Sequence, residues 1–219
     1  MKIFLDSANR DLIKKWLPTG LVDGITTNPS LLSKEGPSTR EVLKEICELV
    51  PGPVSIEVVE KSPDAVYAQA KTISKFAPNV VVKIPCAQEY FPVIDKLSQE
   101  GVKLNITLVF SEVQALLVAK LGVTYISPFI GRWDDIGTDG IALVERLVKI
   151  MKLYAFSSEI LAASVRSVLH MQRIALTGAH VMTVPPTLLE QAISHPLTHR
   201  GIEIFDNDWK KLGKTSLLE

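Results

Sequence analysis

Two cysteines, Cys47 and Cys86, are all that 219 residues contain, and no C-x-x-C brings them together. A disulfide framework and a structural zinc site are both excluded as the basis of the fold. Net charge is missing too, since 24 Lys and Arg balance 24 Asp and Glu. That balance leaves no basic field for nucleic acid. No apolar run approaches the ~20 residues that a membrane-spanning helix needs. The opening Met1-Lys2-Ile3-Phe4-Leu5 is interrupted by Asp6 before a signal-peptide core can form. The four histidines, His170, His180, His195 and His199, make no metal-binding pattern, so neither a metal nor a cofactor is expected. A G-x-G-x-x-G after a strand, a P-loop and a G-x-S-x-G elbow are absent as well. With 47% hydrophobic and 22% charged residues, the chain is too apolar for disorder. It reads as a soluble, cytosolic globular protein that binds neither membrane nor nucleic acid.

Short β-branched runs recur along the chain: Lys2 to Leu5, Gly24 to Thr26, Val54 to Val58, Val80 to Ile84, Lys103 to Thr107, Val123 to Ile126, Glu159 to Ala162 and His180 to Thr183. Several are apolar on both faces, which suits parallel strands covered by helices. Between them lie helix signals. Ser38 with Glu41 and Ser111 with Gln114 fit capping boxes, and Ser62-Pro63-Asp64 fits a helix start. Gly140 to Tyr154 reads as a long helix with Leu143, Leu147 and Ile150 on one face. Eight strands alternating with helices, with no Gly/Ser linker, predict a single-domain (β/α)8 TIM barrel over residues 1–219. The other architecture with this rhythm is a doubly wound open sheet. Leu197 to Leu212 adds a C-terminal amphipathic helix, whose Ile202, Phe205 and Trp209 stripe is expected to pack within or between subunits.

In a barrel, the carboxyl ends of the strands converge on one mouth. Asp6 ends the first strand, Thr27-Asn28 follows the second, Glu57 lies in the third and Lys83 in the fourth. Asn105 and Thr107 lie in the fifth, Ser127 to Arg132 follow the sixth, and Ser164 and Arg166 follow the seventh. Most have a plain structural alternative. Asp6 could cap a helix, Asn28-Pro29 could be a turn, and Arg132 could pair with Asp134 or Asp135. Lys83 is harder to dismiss. It sits within Val80-Val81-Val82-Lys83-Ile84-Pro85, and a buried ammonium must be paired or neutral. A neutral lysine is a nucleophile suited to imine formation with a ketone. Cys86, close by, reads as packing rather than as a nucleophile.

These residues fall in six motifs: Phe4-Leu5-Asp6-Ser7-Ala8, Gly24-Ile25-Thr26-Thr27-Asn28-Pro29-Ser30, Val82-Lys83-Ile84-Pro85, Asn105-Ile106-Thr107-Leu108, Ser127-Pro128-Phe129-Ile130-Gly131-Arg132 and Ala162-Ala163-Ser164-Val165-Arg166. Through them the whole chain resembles the small-subunit transaldolases, the branch that includes fructose-6-phosphate aldolases. The resemblance implies a transferase of the non-oxidative pentose phosphate pathway. It would move a dihydroxyacetone unit from sedoheptulose 7-phosphate or fructose 6-phosphate to glyceraldehyde 3-phosphate or erythrose 4-phosphate, by a Schiff base on Lys83. It further implies that Glu57 and Thr107 hold a water, that Asp6 is the base, and that Asn28, Asn105 and Ser127 orient the substrate. Arg132, Arg166 and Ser164 would grip phosphate. Glu57 and Phe129 match the transferases, where the aldolase branch has Gln and Tyr. The alternative is an aldolase that releases free dihydroxyacetone. Trp133 and Cys86-Ala87-Gln88 depart mildly from the family pattern. Relatives of this size form pentameric rings or decamers, so a homo-oligomer is expected.

Overall fold

The β-branched runs become eight parallel strands. The computed structural model of the protein describes residues 1–36, 38–213 and 216–217. Its strands are β1 (Lys2–Asp6), β2 (Gly24–Thr26), β3 (Val54–Glu57), β4 (Val80–Pro85), β5 (Leu104–Val109), β6 (Tyr125–Pro128), β7 (Glu159–Ala162) and β8 (Val181–Val184). Each pairs with the next, and β1 closes onto β8 in parallel. This is the closed (β/α)8 barrel expected from the alternation, not the open sheet.

Closure explains why the strands are apolar on both faces. Leu5, Ile25, Ile56, Val82, Ile106 and Ile126 point outward into the layer shared with the helices. Phe4, Val81, Tyr125, Leu161, Ala163 and Val181 form a second cluster inside the barrel. The Phe4 and Tyr125 rings meet edge to face, 5.8 Å apart. Gly24 makes room for them, because a Cβ there would fall 2.8 Å from the Phe4 ring. Each such buried side chain contributes about 1.5–3 kcal/mol. Two residues further along several strands, the inward position turns polar: Asp6 after Phe4, Lys83 after Val81, Ser127 after Tyr125, Thr183 after Val181. The barrel is apolar at its base and polar at its mouth.

The helices largely follow their signals. Ser62 and Ser111 cap by accepting from the amides of Ala65 and Gln114. The Gln114 side chain, however, accepts from the Phe110 amide rather than closing a box on Ser111. Ser38 precedes the Thr39–Leu49 helix, but its hydroxyl caps nothing. Its backbone, at φ −99° and ψ 78°, lies outside the extended geometry that aims a cap. Asn9, not Asp6, caps the first helix. The Gly140–Leu153 helix buries Leu143 and Leu147 as expected. The Pro196–Lys211 helix differs, because none of its residues is buried and Ile202 and Phe205 are exposed. Of its stripe only Trp209 is partly covered by its own chain. Among the described residues, no helix is long and apolar enough to cross a membrane.

Candidate active site

The register of β3 and β4 places Glu57 beside Lys83, and their side chains meet. Lys83 is 5% exposed. Its Nζ lies 2.9 Å from Glu57 Oε2 and 3.4 Å from the Thr27 carbonyl. The sequence left a buried lysine either paired or neutral, and the geometry gives the pair. Such a pair offsets the desolvation of both charges only with good geometry and further hydrogen bonds.

Asp6 stands in the same cavity, which has a volume of about 380 Å³. The Thr26 hydroxyl donates to Asp6 Oδ1 at 3.0 Å, and Thr183 Oγ1 lies 2.6 Å from Thr26 Oγ1. With the Thr26 proton committed to the carboxylate, Thr183 is the donor in the second bond. Burial pushes the Asp6 carboxyl above its ordinary range. The Thr26 hydrogen bond and the Lys83 charge oppose that shift without cancelling it.

Behind the cavity wall, Asn105 is fully buried. It donates to Ser55 Oγ at 3.1 Å and accepts from the Ser127 hydroxyl at 2.6 Å. Ser127 also reaches the cavity, whereas neither Asn105 nor Thr107 lines it. Thr107 is fully buried, and its hydroxyl has no hydrogen-bond partner among the described residues. A buried polar atom without a partner is costly. Beyond it the β5–β6 register shifts, and Leu108 takes a left-handed φ of 56° and turns into the cavity.

The opposite rim comes from the segments after β6 and β7. The Phe129 ring has the Lys83 ammonium 5.7 Å and the Arg132 guanidinium 5.2 Å from its centre, both within cation–π range. Ser164 is held at a left-handed φ of 59°, and its carbonyl accepts from the Gly131 amide at 3.1 Å. A Cβ on Gly131 would fall 2.5 Å from Arg166 Nε, so glycine lets the Arg166 stem lie against this segment. Ser164 and Arg166 lie just before the Val168–Thr177 helix, which Ser167 caps. The local pairing that stood as the structural alternative for Arg132 gives way to a longer-range one, in which Asp135 holds Arg166.

The structure thus brings Asp6, Asn28, Glu57, Lys83, Ser127, Phe129, Arg132, Ser164 and Arg166 to one cavity. Asn28 is also a helix cap, its Oδ1 accepting from the Leu31 amide at 3.0 Å. Sequence reasoning missed the supporting threonines Thr26 and Thr183, although alternation along β8 could have found Thr183. Burial pushes the Cys86 thiol up to about 11, leaving no thiolate for nucleophilic work near neutral pH.

Closed parallel barrels carry their chemistry at the carboxyl ends of the strands, and that is where the Lys83–Glu57 pair lies. The class is a (β/α)8-barrel enzyme. The chain belongs to the transaldolase/fructose-6-phosphate aldolase family, whose sequence model matches residues 3–216. It is 49% identical over 210 residues to a Listeria monocytogenes protein named probable transaldolase 2, covering 96% of each chain. It is 50% identical to a Lactiplantibacillus plantarum protein named probable transaldolase, covering 98% of this chain and 99% of the other. A solved structure of a flavocytochrome b2 double mutant with sulfite bound superimposes with a TM-score of 0.60 at 13% identity. That match covers 84% of this chain and 57% of the other, and it shows the fold alone.

Proposed function

We propose that the protein transfers a dihydroxyacetone unit from fructose 6-phosphate or sedoheptulose 7-phosphate to an aldose phosphate through an imine on Lys83. The observation that carries this reading is an amine buried at the barrel mouth, 2.9 Å from a carboxylate that can take its proton. Once Glu57 holds that proton, the free amine adds to the C2 ketone of the donor. Glu57 then returns a proton to the departing hydroxyl as the carbinolamine loses water. The unpartnered Thr107 hydroxyl supports a role in holding that water. Asp6, its carboxyl raised by burial, takes the C4 hydroxyl proton as the C3–C4 bond breaks. A raised carboxyl is better matched to proton transfer near neutral pH. The aldose phosphate leaves, and an enamine remains on Lys83. This enamine adds to the acceptor aldehyde while Asp6 returns the proton to the new hydroxyl, and hydrolysis of the imine frees the product. Asn28, Asn105 and Ser127 orient the dihydroxyacetone hydroxyls. Arg132, Arg166 and Ser164 hold the phosphate, a task suited to planar guanidinium donors.

Phe129 favours transfer over release, because its ring brings no hydroxyl to the enamine. Fructose 6-phosphate with erythrose 4-phosphate should therefore yield sedoheptulose 7-phosphate and glyceraldehyde 3-phosphate. Fructose 6-phosphate alone should release little dihydroxyacetone. Release as fast as transfer would replace this reading by the aldolase one.

The reaction fits a cytosolic enzyme of the non-oxidative pentose phosphate pathway. The exposed Ile202, Ile204 and Phe205 on the Pro196–Lys211 helix suit a contact between copies in a homo-oligomer. Sedimentation should then give a mass several times the 24.1 kDa of one chain. A monomer at micromolar concentration would remove the proposed assembly.

A further inference from the structure

We propose that Asp135 is a specificity-determining residue, which occupies the Arg166 guanidinium when no phosphate is bound and yields it to an incoming phosphate dianion. The proposal rests on the reading that Arg166 receives the substrate phosphate, and goes beyond it by naming the group that competes there.

Arg166 is held in two separate ways. Its backbone is fixed: the amide donates to His170 Nδ1 at 3.3 Å, and His170 Nε2 lies 2.9 Å from Asp134 Oδ2. On the facing segment the Gly131 amide donates to the Ser164 carbonyl at 3.1 Å. The guanidinium is held differently. Its two terminal nitrogens both donate to Asp135, Nη2 to Oδ2 at 2.8 Å and Nη1 to Oδ1. The Nε side lies against Gly131, where even a methyl group would collide with it. The fork that would bind a phosphate face to face is therefore engaged by a carboxylate. The Arg166 hydrogen bonds hold the Asp135 carboxyl below the usual carboxylate range, against the desolvation that raises it, with the Arg132 charge adding to the effect.

This contact is built to exchange. Both side chains are about half exposed, and exposed ion pairs are weak. A dianion can therefore replace Asp135 at little net cost, keeping two charge-assisted hydrogen bonds on Arg166. An uncharged sugar hydroxyl cannot, because it would trade a charged bidentate contact for a neutral one. Asp135 thereby reserves Arg166 for phosphorylated substrates, and the fixed backbone keeps the arginine at the mouth during the exchange.

The test is a titration of the intact protein with inorganic phosphate, followed by phosphorus NMR. Asp135→Asn should bind phosphate about threefold to fivefold more tightly than the wild type. Asp135→Glu, which keeps the charge, should stay near the wild type. Asp139→Asn, which removes a neighbouring carboxylate paired to Arg173 and not part of the cavity, should change little. Unchanged or weaker binding by Asp135→Asn would overturn the proposal, as would equal tightening by Asp139→Asn. Arg166→Ala separates the two readings. If it abolishes phosphate binding while Asp135→Asn has no effect, only the competition fails. If it leaves binding intact, the phosphate site itself is misplaced.

Discussion

Asp6 accepts from the Thr26 hydroxyl and lies in the field of Lys83, both of which favour its carboxylate, while burial acts the other way and prevails. A carboxyl raised in the folded state contributes stability that is fully present below the ordinary carboxylate value. That contribution is lost as the pH rises through the raised one. At neutral pH the ionised Asp6 therefore costs stability. Asp6→Asn keeps an oxygen to accept from Thr26 but cannot ionise. It should be more stable than the wild type at pH 7 by about 1 kcal/mol, the ordinary scale of a point substitution. The difference should shrink in acid, below the raised value, as read by thermal unfolding. Its transfer rate should fall by about 10²–10⁴, the usual worth of a general base. A destabilised Asp6→Asn at pH 7 would contradict the account. Phe129 makes a second test. A hydroxyl added by Phe129→Tyr could order a water beside the enamine and speed its protonation. A change of ~1.4 kcal/mol between the two barriers alters their ratio tenfold. Phe129→Tyr should release more dihydroxyacetone from fructose 6-phosphate alone and transfer more slowly, and an unchanged ratio would remove Phe129 as the discriminator. Both residues were legible in the sequence. Thr26 beneath Asp6 was not, because a lone Thr in a β-branched strand looks like strand-forming propensity rather than a hydrogen-bond partner.

The short helix Ile130–Asp134 brings Arg132 to the cavity and also positions a residue of the next segment. Its Gly131 amide tethers the Ser164 carbonyl, and its missing side chain leaves the space that Arg166 fills. Gly131→Ala should displace the Arg166 stem. The KM for phosphorylated donors should rise about tenfold to a hundredfold, the range expected for a lost charge-assisted contact. Slow turnover of an unphosphorylated ketose such as dihydroxyacetone-yielding fructose should barely change, and equal losses on both would make Gly131 merely structural. At this scale the strands were plain in the sequence, because burial on both faces writes continuous apolar runs. The irregularity in β5 was not. Leu108 is a residue that rarely adopts positive φ, so nothing in Asn105-Ile106-Thr107-Leu108 announces a left-handed turn. Ser38 failed in the opposite sense, since the residue type was right for a cap and the backbone angle was wrong.

Across the whole molecule, the barrel is what made the site readable. Eight strands in chain order bring their carboxyl ends to one mouth, so residues from Asp6 to Arg166 group together by strand position alone. What the sequence could not supply was partner choice across long separations. Arg132 stands next to Asp134 and Asp135 in the chain, yet the Asp135 carboxylate goes to Arg166 on the following segment. The Pro196–Lys211 helix leaves Ile202 and Phe205 of its apolar stripe exposed, and amphipathicity cannot say which surface they meet. The central claim concerns the buried lysine, and covalent trapping reads it directly. The protein is incubated with fructose 6-phosphate, reduced with borohydride and digested for peptide mass analysis. The account predicts a dihydroxyacetone-derived mass on Lys83, and none in Lys83→Arg, whose guanidinium stays protonated and forms no imine. An adduct on another lysine, or none in the wild type, would contradict it.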